Sequence, residues 1–216
     1  SALLLIDLDG FTAINDTLGY PAGDGVLRLL AQRLNRLAPP SASLARFGND
    51  EFAMLLPALE HSSDCNRVVA LIQAALHEPF NLPDGCHTLS VSIGVALYPD
   101  DAVDAATLIR YAHIALQRAR QVGSNHCTYF TYAMNEQAQH RYQLEQALRQ
   151  ACAQHEFELY YQPKVHLGSG RMVGTEALLR WNRPGHGVVS PVEFIPLLEQ
   201  TGMIVEVGAW VIEQAC

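Results

Sequence analysis

Four acids stand where they could share a cation. Asp7 and Asp9 lie two residues apart at the end of an apolar run, residues 2–8. On a strand that spacing puts both side chains on one face. Carboxylates that end a buried strand are costly unless they are paired, solvated or holding a cation. Asp50 and Glu51 follow Gly48-Asn49 at the tip of an expected hairpin. If the hairpin lies beside the first strand, its acids can meet Asp7. Three carboxylates around one point suit Mg²⁺ carrying a nucleotide phosphate. On spacing alone a second reading stays open, in which the acids only decorate a strand end and a turn.

The elements that must position these acids follow from periodicity. A continuous apolar run such as residues 2–8 suits a strand buried on both faces. Residues 23–37 carry Val26, Leu27, Leu30, Ala31, Leu34 and Leu37 at helical spacing, and Pro39-Pro40 stops them. Residues 43–47 and 51–57 read as strands, with Gly48-Asn49-Asp50 as the turn between them. Ser62 or Ser63 can cap a helix that runs to residue 76. Residues 88–98 alternate as a strand through Leu89, Val91, Ile93 and Val95. Asp104 opens a helix with Leu108, Ile109, Ala112, Ala115, Leu116 and Ala119 inward, ending at Gly123, and residues 127–132 close the unit as a strand. The order β-α-α-β-β-α-β-α-β gives an α/β sandwich over residues 1–132. Residues 133–155 form a connecting helix rich in Gln, Glu and His, and residues 156–216 begin a second domain. There, strands 157–165 and 171–181 are joined by Gly168-Ser169-Gly170. Ser190-Pro191-Val192-Glu193 starts a helix, and residues 202–216 form an amphipathic one. Both ends read as trimmed from a longer protein.

Composition limits the functions open to the chain. With 216 residues, 49% of them hydrophobic and 17% charged, it holds one large domain or two small ones and is not disordered. No apolar run approaches the ~20 residues that span a bilayer, so no membrane contact is expected from this segment. A net charge of −8 argues against a general nucleic-acid binder, yet leaves a nucleotide site open. The five cysteines are scattered and odd in number, which points to a reducing, cytoplasmic setting, with the parent free to be membrane-anchored through its missing flanks. The nine histidines, His61, His77, His87, His113, His126, His140, His155, His166 and His186, have no compact metal spacing, so no zinc site is expected. Arg28, Arg33 and Arg36 read as a solvated helix face. Trp181 and Trp210 read as packing residues.

Several motifs in order resemble one family. Leu5-Ile6-Asp7-Leu8-Asp9-Gly10-Phe11, Asn15-Asp16-Thr17-Leu18-Gly19-Tyr20, Gly23-Asp24 and Arg46-Phe47-Gly48-Asn49-Asp50-Glu51-Phe52 are similar to the GGDEF family of diguanylate cyclases. The strand at Val91-Ser92-Ile93-Gly94-Val95-Ala96 and the helix through Ala115-Leu116-Gln117-Arg118-Ala119-Arg120 fall in the family's order. Tyr160-Tyr161-Gln162-Pro163-Lys164-Val165, Glu176-Ala177-Leu178-Leu179-Arg180-Trp181 and Phe194-Ile195-Pro196-Leu197-Leu198-Glu199 resemble the opening of an EAL domain. The resemblance implies a nucleotidyl-cyclase-like GGDEF sandwich without its first helix, followed by the opening strands and helices of a TIM-like EAL barrel. The EAL family's later metal-binding acids would lie beyond Cys216.

The resemblance also implies roles. Asp7, the main-chain carbonyl of Leu8 and Asp50 would hold Mg²⁺ or Mn²⁺, with Glu51 close by and Asp50 and Glu51 catalytic. Asn15 and Asp24 would hydrogen-bond guanine, whose mixed donor and acceptor edge suits an amide and a carboxylate. Phe11, Gly48 and Asn49 would line the nucleotide, and Arg120 would replace a phosphate-binding lysine. In the second domain Glu176 would be a catalytic metal ligand, with Gln162 and Arg180 on the substrate. Strand alternation puts Glu176, Leu178 and Arg180 on one face. In a parallel barrel with covered faces such charges need partners, which a structural ion pair would also supply.

Departures from the family pattern weaken the first site. Asn49 replaces a glycine that lets backbone approach phosphate, although Asn tolerates left-handed geometry. Thr12 and Ser124 stand where cations are usual, and His113 and Gln117 replace an Asp and a Tyr. Pro39-Pro40-Ser41-Ala42 occupies the place of an inhibitory product site. Three readings result. The parent is a cyclic di-GMP phosphodiesterase with a GTP-binding regulatory GGDEF domain, or an active cyclase joining two GTP across a homodimer, or a non-catalytic nucleotide receptor.

Overall fold

The computed structural model describes all residues except Ala58, Glu60, His61, Pro83 and Asp84, and only the backbone of Ser62, Ser63, Asn81 and Leu82. The expected serine cap and His61 therefore lie outside the described residues. The chain forms two compact units, Ser1–Gln137 and Ala138–Cys216.

In the first unit the buried run becomes the central strand. β1 (Ala2–Leu8) is buried along its whole length. It pairs antiparallel with β3 (Glu51–Leu56) on one side and β6 (Val91–Leu97) on the other. β2 (Ser43–Arg46) and β7 (Cys127–Tyr129) complete a five-stranded sheet in the order β2-β3-β1-β6-β7, in which only the β6–β7 pair is parallel. β4 (Phe80–Leu82) and β5 (Gly85–His87) form a separate hairpin, so the strand expected over residues 88–98 begins only at Val91.

Alternation along β1 feeds two cores. Leu4, Ile6 and Leu8 meet α2 (Tyr20–Leu37) and α3 (Ser62–Leu76) through Val26, Leu30, Leu34 and Ile72. Leu3 and Leu5 meet α4 (Ala105–Val122) through Ala112, Ala115 and Leu116. α4 settles on the sheet because position 94 lacks a side chain. A Cβ on Gly94 would lie 2.2 Å from the Leu116 nitrogen and 2.3 Å from the Ala112 oxygen, both of them backbone. α1 (Phe11–Leu18) starts after Gly10, in the left-handed region, and Pro21 sits in the first turn of α2.

The second unit is built on α5 (Tyr132–Gln154), whose Leu144, Leu148 and Ala151 are buried there. β8 (Phe157–Val165), β9 (Met172–Arg183) and β10 (Gly187–Val189) make an antiparallel sheet, followed by α6 (Pro191–Thr201) and α7 (Ile204–Ala215). Phe157, Trp181 and Phe194 interlock, and Trp181 donates Nε1–H to Glu156 at 2.9 Å. The packing role of Trp181 and Trp210 holds, since Trp210 also packs on Phe157. Ser190 is the N-cap of α6, but its side chain makes no capping bond. The covered faces of a parallel barrel are not what this hairpin has. Its pairing is antiparallel, and residues 160–176 are exposed on both strands. No single helix among the described residues is long and apolar enough to cross a membrane.

Candidate functional site

The end of β1 is where the first unit gathers its charges. Asp7 stands opposite Glu51 in the β1–β3 register. The Leu8 N–H donates to the Asp50 carbonyl at 3.2 Å, fastening the hairpin tip to the strand end. The tip is closed by Phe47 N–H and Gly48 N–H, which both donate to the Glu51 carbonyl. Arg46 secures it, with Nε donating to the Gly48 carbonyl at 3.1 Å and Nη2 to the Asn49 carbonyl at 2.6 Å. Asn49 does not have a positive φ, so its tolerance of left-handed geometry is not called on.

Helix α4 supplies the opposing groups. Arg120, in its last turn, pairs with Asp7 Oδ2. His113 Nδ1 lies 3.3 Å from Glu51 Oε1. Asp7 is only 5% exposed, and burial lifts its carboxyl to about 6; the Arg120 guanidinium pulls the other way, while Asp50 and Glu51 add to the rise.

Three carboxylates meeting around one point is not the observed arrangement. Among the described residues no three His, Cys, Asp or Glu groups are placed to hold a metal ion. Like charges repel, and each acid has turned to its own neighbour, Asp7 to Arg120 and Glu51 to His113. Asp9 keeps to the face of Asp7, since its partner Ser92 stands opposite Asp7 in the β1–β6 register, but its oxygens are already taken up. β1 ends at Leu8, and Asp9 accepts from Ser90 Oγ at 2.7 Å, Ser92 Oγ at 2.6 Å and the Asn125 N–H at 2.9 Å. Those three bonds make it an anchor between β1, β6 and the loop after α4.

The donors nonetheless fit a divalent ion in kind. Asp7 Oδ2 and Glu51 Oε1 are buried and lack a well-aligned hydrogen bond. With Asp50 and the Leu8 carbonyl they form an all-oxygen set, the type preferred by Mg²⁺ and Mn²⁺.

On the α2 side a groove of about 570 Å³ is lined by Asp24, Leu27, Arg28, Arg46 and Phe52, among others. Asn15 reaches the same helix end. Its Oδ1 lies 2.0 Å from where a Cβ on Gly23 would stand, so the missing side chain makes room for the amide one residue before Asp24. Phe11 is buried, with its ring 3.2 Å from that Cβ position. The solvated arginine face expected on α2 holds for Arg28 and Arg36, which are exposed, and needs correction at Arg33. Arg28 lines the groove, while Arg33 donates to the carbonyls of Ala75, Glu78 and Pro79 and lies over the Phe80 ring. Thr12 is exposed.

In the second unit the register places Gln162 opposite Glu176 and Glu158 opposite Arg180. Alternation then carries Gln162, Glu176 and Arg180 to one face of the hairpin. Glu176 pairs with Lys164 at 3.2 Å, with both side chains more than half exposed. Arg180 lies over the Tyr160 ring and donates to the Leu179 carbonyl.

Comparison with known proteins follows the same division. A family profile described as "Diguanylate cyclase, GGDEF domain" matches residues 1–126, and one described as "EAL domain" matches residues 145–216. GGDEF and EAL domains generally use divalent metals. The chain is 40% identical over 215 residues to the bifunctional diguanylate cyclase/cyclic di-GMP phosphodiesterase MucR of Pseudomonas aeruginosa, covering 100% of this chain and 31% of MucR. It is 34% identical over 215 residues to the cyclic di-GMP phosphodiesterase NbdA of the same organism, covering 100% of this chain and 27% of NbdA. The chain thus spans about a third or less of these relatives. Among solved structures, the GGDEF domain of TpbB (YfiN) from P. aeruginosa is similar at a TM-score of 0.62 and 37% identity, covering 64% of this chain and 81% of that one. The GGDEF domain of DgcB from Caulobacter crescentus, solved in complex with c-di-GMP, is similar at 0.54 and 28%, covering 59% and 76%.

Proposed function

The chain belongs to the GGDEF family, joined to the start of an EAL domain, and from that premise we propose that its first unit binds GTP with a divalent ion as the regulatory half of a cyclic di-GMP phosphodiesterase. The observation that carries this reading is the convergence of Asp7, the Asp50–Glu51 tip and Arg120 at the end of β1. Asp7, Asp50 and the Leu8 carbonyl would hold Mg²⁺ or Mn²⁺. Such an ion would supply positive charge for triphosphate oxygens that would otherwise face a cluster of carboxylates. Arg120, now paired with Asp7, would exchange it for those phosphates. Asn15 and Asp24 read the guanine edge, and the groove beside Asp24 takes the base.

Binding without turnover is the preferred reading because the site is short of cations. Thr12 and Ser124 carry no charge, which leaves Arg120 as the helix's contribution. In the second unit Glu176, Gln162 and Arg180 share a face, which supports a role on cyclic di-GMP, with Glu176 holding a metal ion there.

The test uses the full-length parent. GTP should alter its rate of cyclic di-GMP hydrolysis, and Glu176→Ala should abolish that hydrolysis. Undiminished hydrolysis in Glu176→Ala rejects the phosphodiesterase reading. One observation favours a second reading, cyclase activity between two copies of the protein. Asp7, Asp50, Glu51, Asn15 and Asp24 are all at their positions, and Asn49 does not force an unusual backbone. Incubation of the parent with GTP and Mg²⁺ decides this. Cyclic di-GMP formation, rising in Asn49→Gly, establishes the cyclase, and no product excludes it.

A further inference from the structure

One imidazole touches both arms of the hairpin. The His113 ring lies 5.7 Å from the Phe47 ring, centroid to centroid, with the planes tilted by 47°. Its Nδ1 is 3.3 Å from Glu51 Oε1. Phe47 and Glu51 flank the tip and are bonded to each other through the Phe47 N–H and Glu51 carbonyl at 2.8 Å. The Glu51 side chain is 16% exposed, so its carboxylate has surrendered much of its water and needs a donor. The position of His113 is set by the close seat of α4 on Gly94, one turn before the Leu116 contact.

We propose that His113 is a positioning residue for Glu51, holding the carboxylate through Nδ1 and the hairpin arm through Phe47, so that the tip presents Asp50 and Glu51 to a metal-bound nucleotide. This rests on the metal–GTP reading of the same site. Without the imidazole, Glu51 is released toward solvent or toward Asp7 and Asp50, where like charges meet. Metal-dependent nucleotide binding weakens as a result. The guanine contacts are spared, because Asp24 belongs to α2, which packs on the other face of the sheet from α4.

Calorimetric titration of the 216-residue chain with the GTP analogue GMPPNP, once with Mn²⁺ and once with EDTA, tests this. His113→Ala should raise the Kd with Mn²⁺ about tenfold, the size expected when a largely buried carboxylate loses its polar neighbour, and leave the EDTA value unchanged. His113→Asn, whose amide nitrogen can take the place of Nδ1, should stay within about threefold of the unmodified chain, whereas His113→Gln should behave like His113→Ala. In a Glu51→Gln background, His113→Ala should add no further loss. Wild-type-like binding by His113→Ala, equal losses with Mn²⁺ and EDTA, or failure of His113→Asn to rescue would each overturn the proposal. If the unmodified chain binds no GMPPNP, the GTP reading falls, and hydrogen exchange of residues 46–52 decides the role of His113. Faster exchange in His113→Ala supports it, and unchanged exchange overturns it.

Discussion

Asp7 holds its proton to a higher pH in the folded chain than in the unfolded one. Its carboxyl is raised to about 6 from an ordinary 3.8, chiefly by burial and against the pull of Arg120. Between those values the folded state binds more protons than the unfolded state, so stability rises as the pH falls through this window. Above pH 6 the ionised carboxylate weighs against folding at its full size, of order 1–3 kcal/mol. Urea unfolding of the first unit should therefore show greater stability at pH 5 than at pH 7.5, and Asp7→Asn should flatten that difference. Arg120→Ala should raise the Asp7 carboxyl further, as read by carbon-13 titration of its side chain. Gly23 offers another residue-scale test. Gly23→Ala places a methyl where the Asn15 amide lies. GTP affinity should fall about tenfold while stability changes little, because a side-chain end can move but then leaves the place from which it would meet the base. Equal affinity in Gly23→Ala would detach Asn15 from guanine recognition.

Two elements carry the site, the β2–β3 hairpin and α4, and each depends on a contact made across the fold. Gly94→Val would drive a side chain into the α4 backbone at Ala112 and Leu116. We expect a loss of about 3 kcal/mol or more in stability, visible as a lowered Tm, along with loss of nucleotide binding as Arg120 and His113 are displaced. Arg46→Ala should speed hydrogen exchange at the hairpin tip, since two of its carbonyls lose their donor. The sequence makes β1 and the hairpin plain, because an unbroken apolar run and a Gly-Asn turn have few alternative structures. The partners across the sheet are not plain. Asp9 and Asp7 look equivalent by spacing, but only the register with Ser90 and Ser92 shows that Asp9 is already satisfied. Arg46 lies inside the signature motif, yet its hold on the tip needs the turn geometry. Arg33 reads as a solvated arginine until α3 and β4 are placed beside α2.

At the scale of the molecule, the two units each have their own core, and each matches its own family. The α/β order and the change of character after residue 132 can be read from the sequence because hydrophobic periodicity and polar composition differ there. The antiparallel, exposed hairpin of the second unit is not legible in the sequence, because alternation fixes which residues share a face and says nothing of strand direction. Gln162, Glu176 and Arg180 nevertheless share the face that alternation assigned to the last two. For the first unit, the end of β1 is proposed to bind GTP through a divalent ion held by residues 7 and 50. The most direct measurement is a calorimetric titration of GMPPNP into the chain, Asp7→Asn and Asp50→Asn, each with and without Mg²⁺. Tight binding is expected only of the unmodified chain with Mg²⁺; binding that ignores Mg²⁺, or that survives in both variants, overturns the assignment.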